Sequence, residues 1–564
     1  MALGTPKRKR STARAQYVAD FETTTDENDC RVWGWGLANI NTADSVWDVE
    51  MSNNMADFID RISCEPSVCY FHNLRFDGHF IMDWLFRHGD FVHVDDNPGK
   101  GQFSTIISNM AQFYSITVTW CNGVRTEFRD SLKKLPLRVA EIAEAFNQPE
   151  LKGSIDYHSY RPVGHQLTLE ERTYLAHDVM IVARALKTEM AAGMTKLTVG
   201  SDSLADFKKI LGAKVFEKMF PILPETMDAE IRRAYRGGFT YVAKRFQAKR
   251  LGAGRVYDVN SLYPSVMYHK PMPYGLPVFA PGLPKASKSH PLFTVTITFT
   301  AKLKKDHIPC IQVKGSSHFL ATEYQTHIKE PTTITCTNID LALWEEHYDM
   351  DILSYEGGWL FQSVDGVFND YIDKWMEVKT KNRGGIRFIA KLHLNSLYGK
   401  FGTNPNITPK VPVFEDNVVK LVLGDPDTRE PIYTAMSVFI AAYARDVTIR
   451  AAQQHYDVFA YADTDSLHLL VDCDPETLDV DPDKLGAWKR EYIFSEALFM
   501  RAKTYTELVD GKHETHIAGL PVEIAAQLTF DDFSGGRTLV GKKTPKRVPG
   551  GIVLQDVDFT MPAL

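Results

Sequence analysis

The sequence predicts a multidomain protein of mixed α/β and α+β class. Its 564 residues exceed what one hydrophobic core usually supports, and 44% of them are hydrophobic, which is typical of globular chains. The first third alternates short β runs with amphipathic segments, the pattern of an α/β domain. The remainder mixes scattered β runs with longer helical segments, so at least one further domain of α+β type is expected.

Three apolar runs in the first third predict strands, and one capped segment predicts a helix. The strands are expected at 16–21, 68–71 and 116–120, and the helix over 169–190. Thr168 precedes that helix and Glu171 follows three residues later, which is the pattern of a capping box. A domain boundary is expected near residue 200.

The remaining two thirds divide by composition. A strand is predicted at 255–258, and the segment 271–356, richer in Pro, Thr and Lys, indicates an inserted subdomain. Helical character is predicted over 367–398, followed by a segment with Pro and Asn at 404–431. A helix over 437–455 then leads into a hairpin around Asp463.

Composition excludes several classes of protein. The seven cysteines are widely spread without a CxxC pair, which argues against zinc ribbons and disulfide frameworks and predicts reduced packing residues. No apolar run reaches the length of a membrane span, and the basic N-terminus lacks a signal core, so we expect a soluble, unsecreted protein. The net charge of −7 does not indicate a nucleic-acid ligand, but local charge decides binding. Basic runs at 6–10, 133–138, 374–391 and 542–547 are either solvated surfaces or such local sites.

Four carboxylates in the first third accompany the predicted elements. Asp20 and Glu22 lie two residues apart at a strand end, so both side chains leave the same face. Asp77 follows the second strand, and Asp178 lies four residues after Tyr174 on one helical face. If these acids converge they would hold two Mg²⁺ ions for cleavage of a phosphodiester. Each acid taken alone is more simply a solvated side chain or a helix cap.

A second acidic group lies further along the chain. Asp463 and Asp465 interrupt two β runs and therefore occupy the turn of a hairpin. Asp258 ends a predicted strand, and if it lay beside that hairpin the carboxylates would repel unless cations neutralised them. A DxD sequence alone also occurs in glycosyltransferases that bind metal–nucleotide sugars.

A basic helix distinguishes these alternatives. Arg387, Lys391 and Tyr398 fall along one face of the predicted helix, and Lys379 lies upstream in the same positive segment. A triphosphate needs several cations, which an arginine fork and lysine point charges supply. The simpler alternative is a solvated basic face with Tyr398 in the core.

The acidic motifs of the first third resemble those of DEDD-type proofreading exonucleases of the tyrosine subclass. The DxE motif begins at Asp20, NxxxD ends at Asp77, and YxxxD ends at Asp178. The resemblance implies that Asp20, Glu22, Asp77 and Asp178 bind metal and that Tyr174 orients the attacking water. Aromatic faces stack on bases without reading sequence, so contacts with an unpaired strand end are expected from His72, Phe76 and Phe80. The resemblance adds Tyr70, Asn73, Ser131 and Leu132 to these contacts, and Lys152 as a catalytic or phosphate-contacting lysine.

Five short motifs follow one another along the chain: YRGG at 235–238, SLYP at 261–264, KxxxNSLYG at 391–399, DTD at 463–465 and KTY at 503–505. With these motifs, nearly the whole chain resembles the protein-primed, strand-displacing family B DNA polymerases of bacteriophages. It implies an RNase H-like DEDDy exonuclease domain and a right-hand polymerase of palm, fingers and thumb with two terminal-protein-region insertions. The implied boundaries are 1–198 for the exonuclease domain, 199–269 and 434–517 for the palm, 270–366 and 403–433 for terminal-protein regions 1 and 2, 367–402 for the fingers and 518–564 for the thumb.

The resemblance also implies a role for each polymerase motif. Two Mg²⁺ ions, for which Mn²⁺ is expected to substitute, would be held by Asp258, Val259, Asp463 and Asp465. The incoming dNTP would contact Leu262, Tyr263, Lys379, Arg387, Lys391 and Tyr398, with Tyr263 excluding ribonucleotides. Template and primer would contact Tyr235, Gly237, Ser261, Asn395, Gly399, Thr464, Lys503 and Tyr505.

These roles imply processive, strand-displacing synthesis of a linear phage-type genome, with 3′–5′ proofreading. The expected partners are primer–template DNA, single-stranded DNA and a terminal protein that acts as primer in a heterodimer. The expected setting is the cytoplasm of an infected bacterium, away from membranes. Arg387 departs from the family pattern by replacing a lysine, and His516 replaces a more basic residue. The rival functions are a catalytically dead DNA-binding scaffold, and a nuclease or glycosyltransferase that uses only one acidic site.

Overall fold

The computed structural model describes residues 14–88, 91–149, 153–313, 323–533 and 535–561. Lys152 and the basic leader at 6–10 lie outside these residues. The N-terminal domain comprises β1 (Ala15–Thr23), β2 (Val32–Asn39), β3 (Glu50–Ser52), α1 (Met55–Ile62), β4 (Ser67–Phe71), α2 (Leu74–His88), β5 (Val92–His93), β6 (Gln102–Ile107), β7 (Phe113–Thr119), β8 (Arg125–Asp130), α3 (Val139–Ala145) and α4 (Leu169–Ala191).

The eight strands of this domain form one sheet in the order β3-β2-β1-β4-β8-β7-β6-β5. The central strands β1, β4 and β8 are parallel, so their carboxyl ends meet at one edge. Two apolar clusters cover the two faces of the sheet, and α4 packs on one of them. The predicted capping box of α4 is confirmed, since Thr168 and Glu171 exchange side chain to backbone hydrogen bonds.

A second sheet lies at the centre of the C-terminal half. The elements that lead to it are α5 (Val199–Leu211), α6 (Ala213–Met219), α7 (Glu225–Arg232), β9 (Thr240–Val242), β10 (Arg250–Leu251), β11 (Gly254–Val259) and α8 (Leu262–His269). An inserted subdomain follows, in which β12 (Met272–Ala280), β13 (Leu292–Leu303), β14 (His327–Thr337) and β15 (Tyr348–Val364) form one sheet. The helix α9 (Asn338–His347) connects β14 to β15.

The helical region predicted over 367–398 contains two helices. They are α10 (Asn369–Lys381) and α11 (Gly384–Phe401), separated at residues 382–383. Gly384 has a φ of 59°, a left-handed conformation that glycine adopts without a steric penalty. The chain therefore reverses here, and α10 packs against α11.

The next elements form a second insertion and complete the central sheet. They are β16 (Asn406–Ile407), β17 (Lys410–Glu415), β18 (Val418–Leu423), β19 (Asp427–Thr428), α12 (Thr434–Gln454), β20 (Phe459–Asp463), β21 (Ser466–Leu469) and β22 (Trp488–Phe494). The central sheet has the order β22-β11-β21-β20-β9, with β20 and β21 as the predicted hairpin.

The C-terminal segment adds a small sheet and a long hairpin. Its elements are β23 (Glu496–Arg501), β24 (Thr504–Val509), β25 (Lys512–Ile517), α13 (Val522–Ala525), β26 (Thr538–Val548) and β27 (Gly551–Thr560). The β26–β27 hairpin packs against α2 of the N-terminal domain. The C-terminal segment is thus in contact with the N-terminal domain.

Cys30, Cys69, Cys310 and Cys336 are buried, and the expected packing role describes these four. Cys64, Cys121 and Cys473 are exposed. Among the described residues, no helix combines the length and the apolar character needed to cross a bilayer.

Candidate active sites

A cavity of about 580 Å³ lies between β1, α2 and α4. Asp20 and Glu22 enter it from β1, Asp77 from the first turn of α2, and Asp178 from α4. Glu22, Asp77 and Asp178 are each no more than 5% exposed. The fold therefore brings all four acids predicted from the sequence to one enclosed space.

The electrostatics of this cavity suit a bound cation. Burial, and then the charge of Asp20, raise the pKa of Asp77 well above its ordinary value. Tyr174 lines the same cavity, and its hydroxyl lies 2.5 Å from that of Tyr157. Burial, and then the charge of Asp178, raise the pKa of Tyr174, so its phenol stays neutral and can donate a hydrogen bond. Tyr157 is a residue that the sequence motifs missed.

Three of the residues predicted to contact an unpaired DNA strand line the cavity: His72, Asn73 and Phe76. The two ring nitrogens of His72 lie 2.9 Å from Ser131 Oγ and 2.8 Å from the carbonyl of Leu137. Asn73 has a φ of 78°, and its backbone N–H donates to Asp130 Oδ1. Ser131 therefore contacts His72, which lines the cavity, and does not line the cavity itself.

The other predicted contacts are not brought to the cavity. Tyr70 and Phe80 are each 3% exposed in apolar clusters, and Phe80 lies beneath Gly551 of the C-terminal hairpin. Leu132 does not line the cavity, and its backbone N–H donates to Asp130. Both rings pack in the core here, because aromatic side chains that flank a motif also serve the core, and their contact with a DNA strand stays a prediction.

A second acidic group forms where β11 meets the β20–β21 hairpin. Asp258 pairs with Ser466, and the Val259 N–H donates to the Asp465 carbonyl at 2.8 Å. Burial, and then the charge of Asp465, raise the pKa of Asp258 to about 7. Burial likewise raises the pKa of Asp465. Asp258 on β11 therefore lies close to Asp465 in the turn of the neighbouring hairpin, and the charge of Asp465 destabilises that of Asp258.

Asp463 is partly neutralised by the protein. It accepts a hydrogen bond from Thr240 Oγ1 at 2.9 Å and lies 3.1 Å from Lys503 Nζ. Thr464 between the acids has a φ of 62°. A Cβ on Gly238 would lie 2.6 Å from Thr464 Cγ2, so the glycine lets the YRGG segment approach the acidic turn.

Both acidic groups fit divalent cations through the chemistry of their donors. Buried carboxylates with raised pKa values favour either a proton or a cation, and hard cations prefer oxygen ligands. Within the ranges described, no three acidic, histidine or cysteine side chains are arranged as a complete ion site. Waters or substrate phosphates would therefore complete each coordination shell, as is usual for Mg²⁺.

A basic and aromatic group adjoins Asp258. The rings of Tyr263 on α8 and Tyr398 on α11 stack at 3.9 Å with a 13° interplanar angle. Lys379 Nζ donates to Ser261 Oγ at 3.2 Å, and Arg387 donates to the Lys379 carbonyl at 2.8 Å. Burial, and then the charge of Lys391, lower the pKa of Lys379. An anion placed here would restore favourable charge balance.

Further predicted contacts lie on β24 and α11. Tyr505 lies 5.0 Å from the Tyr461 ring and 4.8 Å from the His516 ring. Asn395 and Gly399 are exposed on α11. Val259 and Leu262 are each 1% exposed, so only their backbone can reach a ligand.

The YRGG segment is supported by residues that no motif revealed. Arg445 on α12 donates to the carbonyls of Arg236 at 2.8 Å and Gly237 at 3.0 Å. The same guanidinium forms a two-pronged ion pair with Asp340 of the inserted subdomain, at 2.7 and 3.0 Å. These residues are far apart in sequence, so only the fold brings them together.

Comparisons with known proteins place these sites in context. The family model described as DNA polymerase type B, organellar and viral, matches residues 63–482. The DNA polymerase of Bacillus phage Nf is 43% identical over 97% of this chain and 100% of its own length. The DNA polymerases of Bacillus phage phi29 and Streptococcus phage Cp-1 are 42% and 32% identical, over 97% and 96% of this chain and 99% and 98% of their own lengths.

Solved structures agree with this relationship. Phi29 DNA polymerase complexed with primer–template DNA and incoming nucleotides superposes with a TM-score of 0.93, at 41% identity over 97% of this chain and 100% of that chain. The phi29 enzyme complexed with single-stranded DNA gives a TM-score of 0.92, with 40% identity and the same coverage. The likeness confirms the predicted fold class. This chain therefore belongs to the type B DNA polymerases of organelles and viruses, with the phage phi29 polymerase among its close relatives.

Proposed function

We propose that this chain replicates a linear phage-type genome by protein-primed, processive, strand-displacing DNA synthesis and proofreads the product with its own 3′–5′ exonuclease. The observation that carries the synthetic activity is the juxtaposition of Asp258 and Asp465 beside the Tyr263–Tyr398 stack. The proposed division of the chain is the one given above, from exonuclease domain to thumb. Its proposed setting is the cytoplasm of an infected bacterium.

At the polymerase site, Asp258, Asp463, Asp465 and the Val259 backbone would hold two Mg²⁺ ions. Bound there, the ions would activate the primer 3′ oxygen and stabilise charge on the phosphate and on the leaving pyrophosphate. Lys379, Arg387 and Lys391 would bind the triphosphate of the dNTP, because they form a group of neighbouring cations close to Asp258. Asp463 is already paired with Lys503, which would place that lysine near the primer end.

The tyrosine stack would select the nucleotide. Tyr263 and Tyr398 present two parallel rings at the edge of the acidic group, and packing of the deoxyribose against Tyr263 leaves little room for a 2′-hydroxyl. Tyr235, Gly237, Ser261, Asn395, Gly399 and Thr464 would contact the template, and Lys503 with Tyr505 the primer strand. A Tyr263→Val variant is expected to incorporate ribonucleotides more readily.

At the exonuclease site, Asp20, Glu22, Asp77 and Asp178 would hold a second pair of Mg²⁺ ions. Tyr174 would orient the attacking water, because its phenol is neutral and is held by Tyr157. His72, Asn73 and Phe76 would receive the unpaired 3′ end, since they line the same cavity.

Enclosure of DNA would give processivity despite the net charge of −7. The second insertion reaches the exonuclease domain, where the ring of Phe414 stacks on that of Phe86 in α2 with 5.5 Å between the ring centres. The guanidinium of Arg87 lies 5.0 Å from the centre of the Phe414 ring. This contact supports a closed ring around DNA, which would separate the strands ahead of the polymerase. The first insertion would receive the terminal protein whose side chain primes synthesis.

Primer extension tests the polymerase assignment. Asp465→Asn is expected to abolish Mg²⁺-dependent extension of a primed single-stranded circle while DNA binding persists. Asp479→Asn is the control, because that carboxylate is 65% exposed and pairs only with Lys484 among the described residues. Equal extension by the Asp465 variant and the wild type would contradict the polymerase assignment and favour a catalytically dead DNA-binding scaffold.

Degradation of a labelled single strand tests the exonuclease assignment. The Asp20→Ala, Glu22→Ala double variant is expected to lose 3′ degradation and retain synthesis. Asp26→Ala, an exposed acid just after β1, is the control. Degradation that persists in the double variant would mean that the first acidic group is misassigned.

Initiation without an oligonucleotide tests protein priming. Transfer of the first dNMP to a purified candidate terminal protein should require Asp258 and Asp465, and deleting residues 404–431 should reduce strand displacement far more than short gap filling. An unchanged product length after that deletion would count against the ring.

A further inference from the structure

A cation that belongs to none of the motifs lies on the strand next to Asp258. That strand, β22, is the edge strand of the central sheet, and its Lys489 lies directly opposite Asp258 in the antiparallel register of β11 and β22. Residues that are opposite each other in such a pair project from the same face of the sheet. Lys489 therefore projects from the face that carries the Asp258 carboxylate.

An exposed ion pair holds the ammonium group of Lys489. Its Nζ lies 2.8 Å from Oε1 of Glu491, two residues further along β22, and the two side chains are 42% and 39% exposed. The register of the two strands shifts between Val256 and Tyr257, and Glu491 falls within this irregularity. Because water reaches both charged groups, the pair contributes little stability, and a multiply charged anion could displace the carboxylate from the lysine.

The charge of Lys489 acts on groups from two different parts of the polymerase site. Burial is the main cause of the raised pKa of Asp258, and the charge of Lys489 opposes that rise. Burial is also the main cause of the lowered pKa of Lys379, and the charge of Lys489 adds to that fall. Lys489 is therefore close both to an acid proposed to hold metal and to a lysine proposed to hold phosphate.

A dNTP bound at these acids carries its β- and γ-phosphates away as pyrophosphate, so negative charge on them persists throughout the reaction. The cations assigned to the triphosphate so far, Lys379, Arg387 and Lys391, all come from the helices α10 and α11. We propose that Lys489 leaves Glu491 and binds a β- or γ-phosphate oxygen of the dNTP, and then the pyrophosphate, from the side of the sheet. The proposal rests on the polymerase function proposed above, and Lys489 takes no part in the chemical step.

Steady-state kinetics in both directions test this proposal. The KM for dNTP is measured in primer extension. The KM for pyrophosphate is measured in the reverse reaction, in which pyrophosphate attacks the terminal phosphodiester of the primer and releases a dNTP. Lys489→Ala is expected to raise both KM values roughly fivefold, less than the full loss of a charge-assisted contact because the lysine gives up Glu491 to make it. The kcat for extension should change little, since the contact is made before and after the chemical step.

Two further variants separate phosphate binding from a structural role. Lys489→Arg should keep both KM values near those of the wild type, because it keeps the positive charge. Arg490→Ala should leave both unchanged, because the similarly exposed Arg490 pairs with Asp474 and projects from the opposite face of β22.

The outcomes distinguish this proposal from the polymerase assignment. Wild-type KM values for Lys489→Ala would overturn the proposal. A lower kcat with unchanged KM values, and an acid limb of the pH–rate profile moved to higher pH, would also overturn it, because Lys489 would then act only by lowering the pKa of Asp258. Extension that is absent from the wild type, or that is equal in Asp465→Asn, would instead overturn the polymerase assignment.

Discussion

Breaking the ion pair between Asp340 and Arg445 should destabilise the polymerase half of the chain and lower its affinity for template DNA. Both side chains are about 5% exposed, and the guanidinium also holds the carbonyls of Arg236 and Gly237. Asp340→Asn keeps the shape and leaves Arg445 charged and buried without its partner. The expected cost is about 3–5 kcal/mol, the usual range when one partner of a buried pair is removed.

The same helix offers a matched control. Arg450 pairs with Asp446 and Glu346 but is 47% exposed, so solvent screens its interactions. Arg450→Ala is expected to cost less than about 1 kcal/mol. Urea unfolding followed by tryptophan fluorescence measures both, and the larger loss corresponds to a midpoint shift of roughly 1 M or more.

The acid side of the stability profile gives a second readout. Burial alone would raise the pKa of Asp340, but the charges of Arg445 and Arg236 outweigh it and hold the pKa below its ordinary value. A lowered pKa contributes stability that is fully present above the ordinary value of 3.8 and is lost as pH falls below it. The gap between wild type and Asp340→Asn should therefore shrink in acid.

A double variant decides whether the pair itself or the lost charge matters. Asp340→Leu with Arg445→Met removes both charges and should recover much of the stability, because replacing a buried pair by apolar side chains is often neutral. It should not recover template affinity, since nothing then holds the Arg236 and Gly237 carbonyls. If Asp340→Asn costs no more than Arg450→Ala, the reasoning from burial is refuted.

Three other predictions follow from single contacts. Burial raises the pKa of Glu189 from 4.5 to about 8, so stability should fall as pH rises through that window, and Glu189→Gln should flatten the wild-type dependence of the urea midpoint on pH. A pH dependence equal to that of the wild type would contradict this. Gly238→Ala should reduce primer extension at least tenfold, because the added Cβ would displace Thr464. Adding Thr464→Gly should restore most of the extension. If it does not, the clash at 2.6 Å between the added Cβ and Thr464 is not the cause of the lost extension. Phe414→Ala should shorten strand-displacement products while sparing gap filling, because it removes the stack on Phe86. Products of full length would show that the closed ring around DNA does not depend on this contact.

The sequence by itself determined the features that depend on local order. Spacing within single strands and helices placed Asp20 beside Glu22 and Tyr174 beside Asp178, and the turn at Asp463 and Asp465 follows from two interrupted β runs. The capping box at Thr168 is local in the same sense. Motif order then identified the family, because a sequence of short motifs is independent of how the elements pack.

Only the tertiary structure decided what depends on contacts between distant residues. The chain reverses between α10 and α11 at a left-handed glycine, and the apolar pattern does not show that the two helices then pack against each other. Tyr70 and Phe80 are aromatic in either role, and only packing shows that their rings belong to the core. Arg445 carries no motif at all: it reaches the carbonyls of Arg236 and Gly237 from a helix more than 200 residues further along the chain, so its role exists only once the chain has folded.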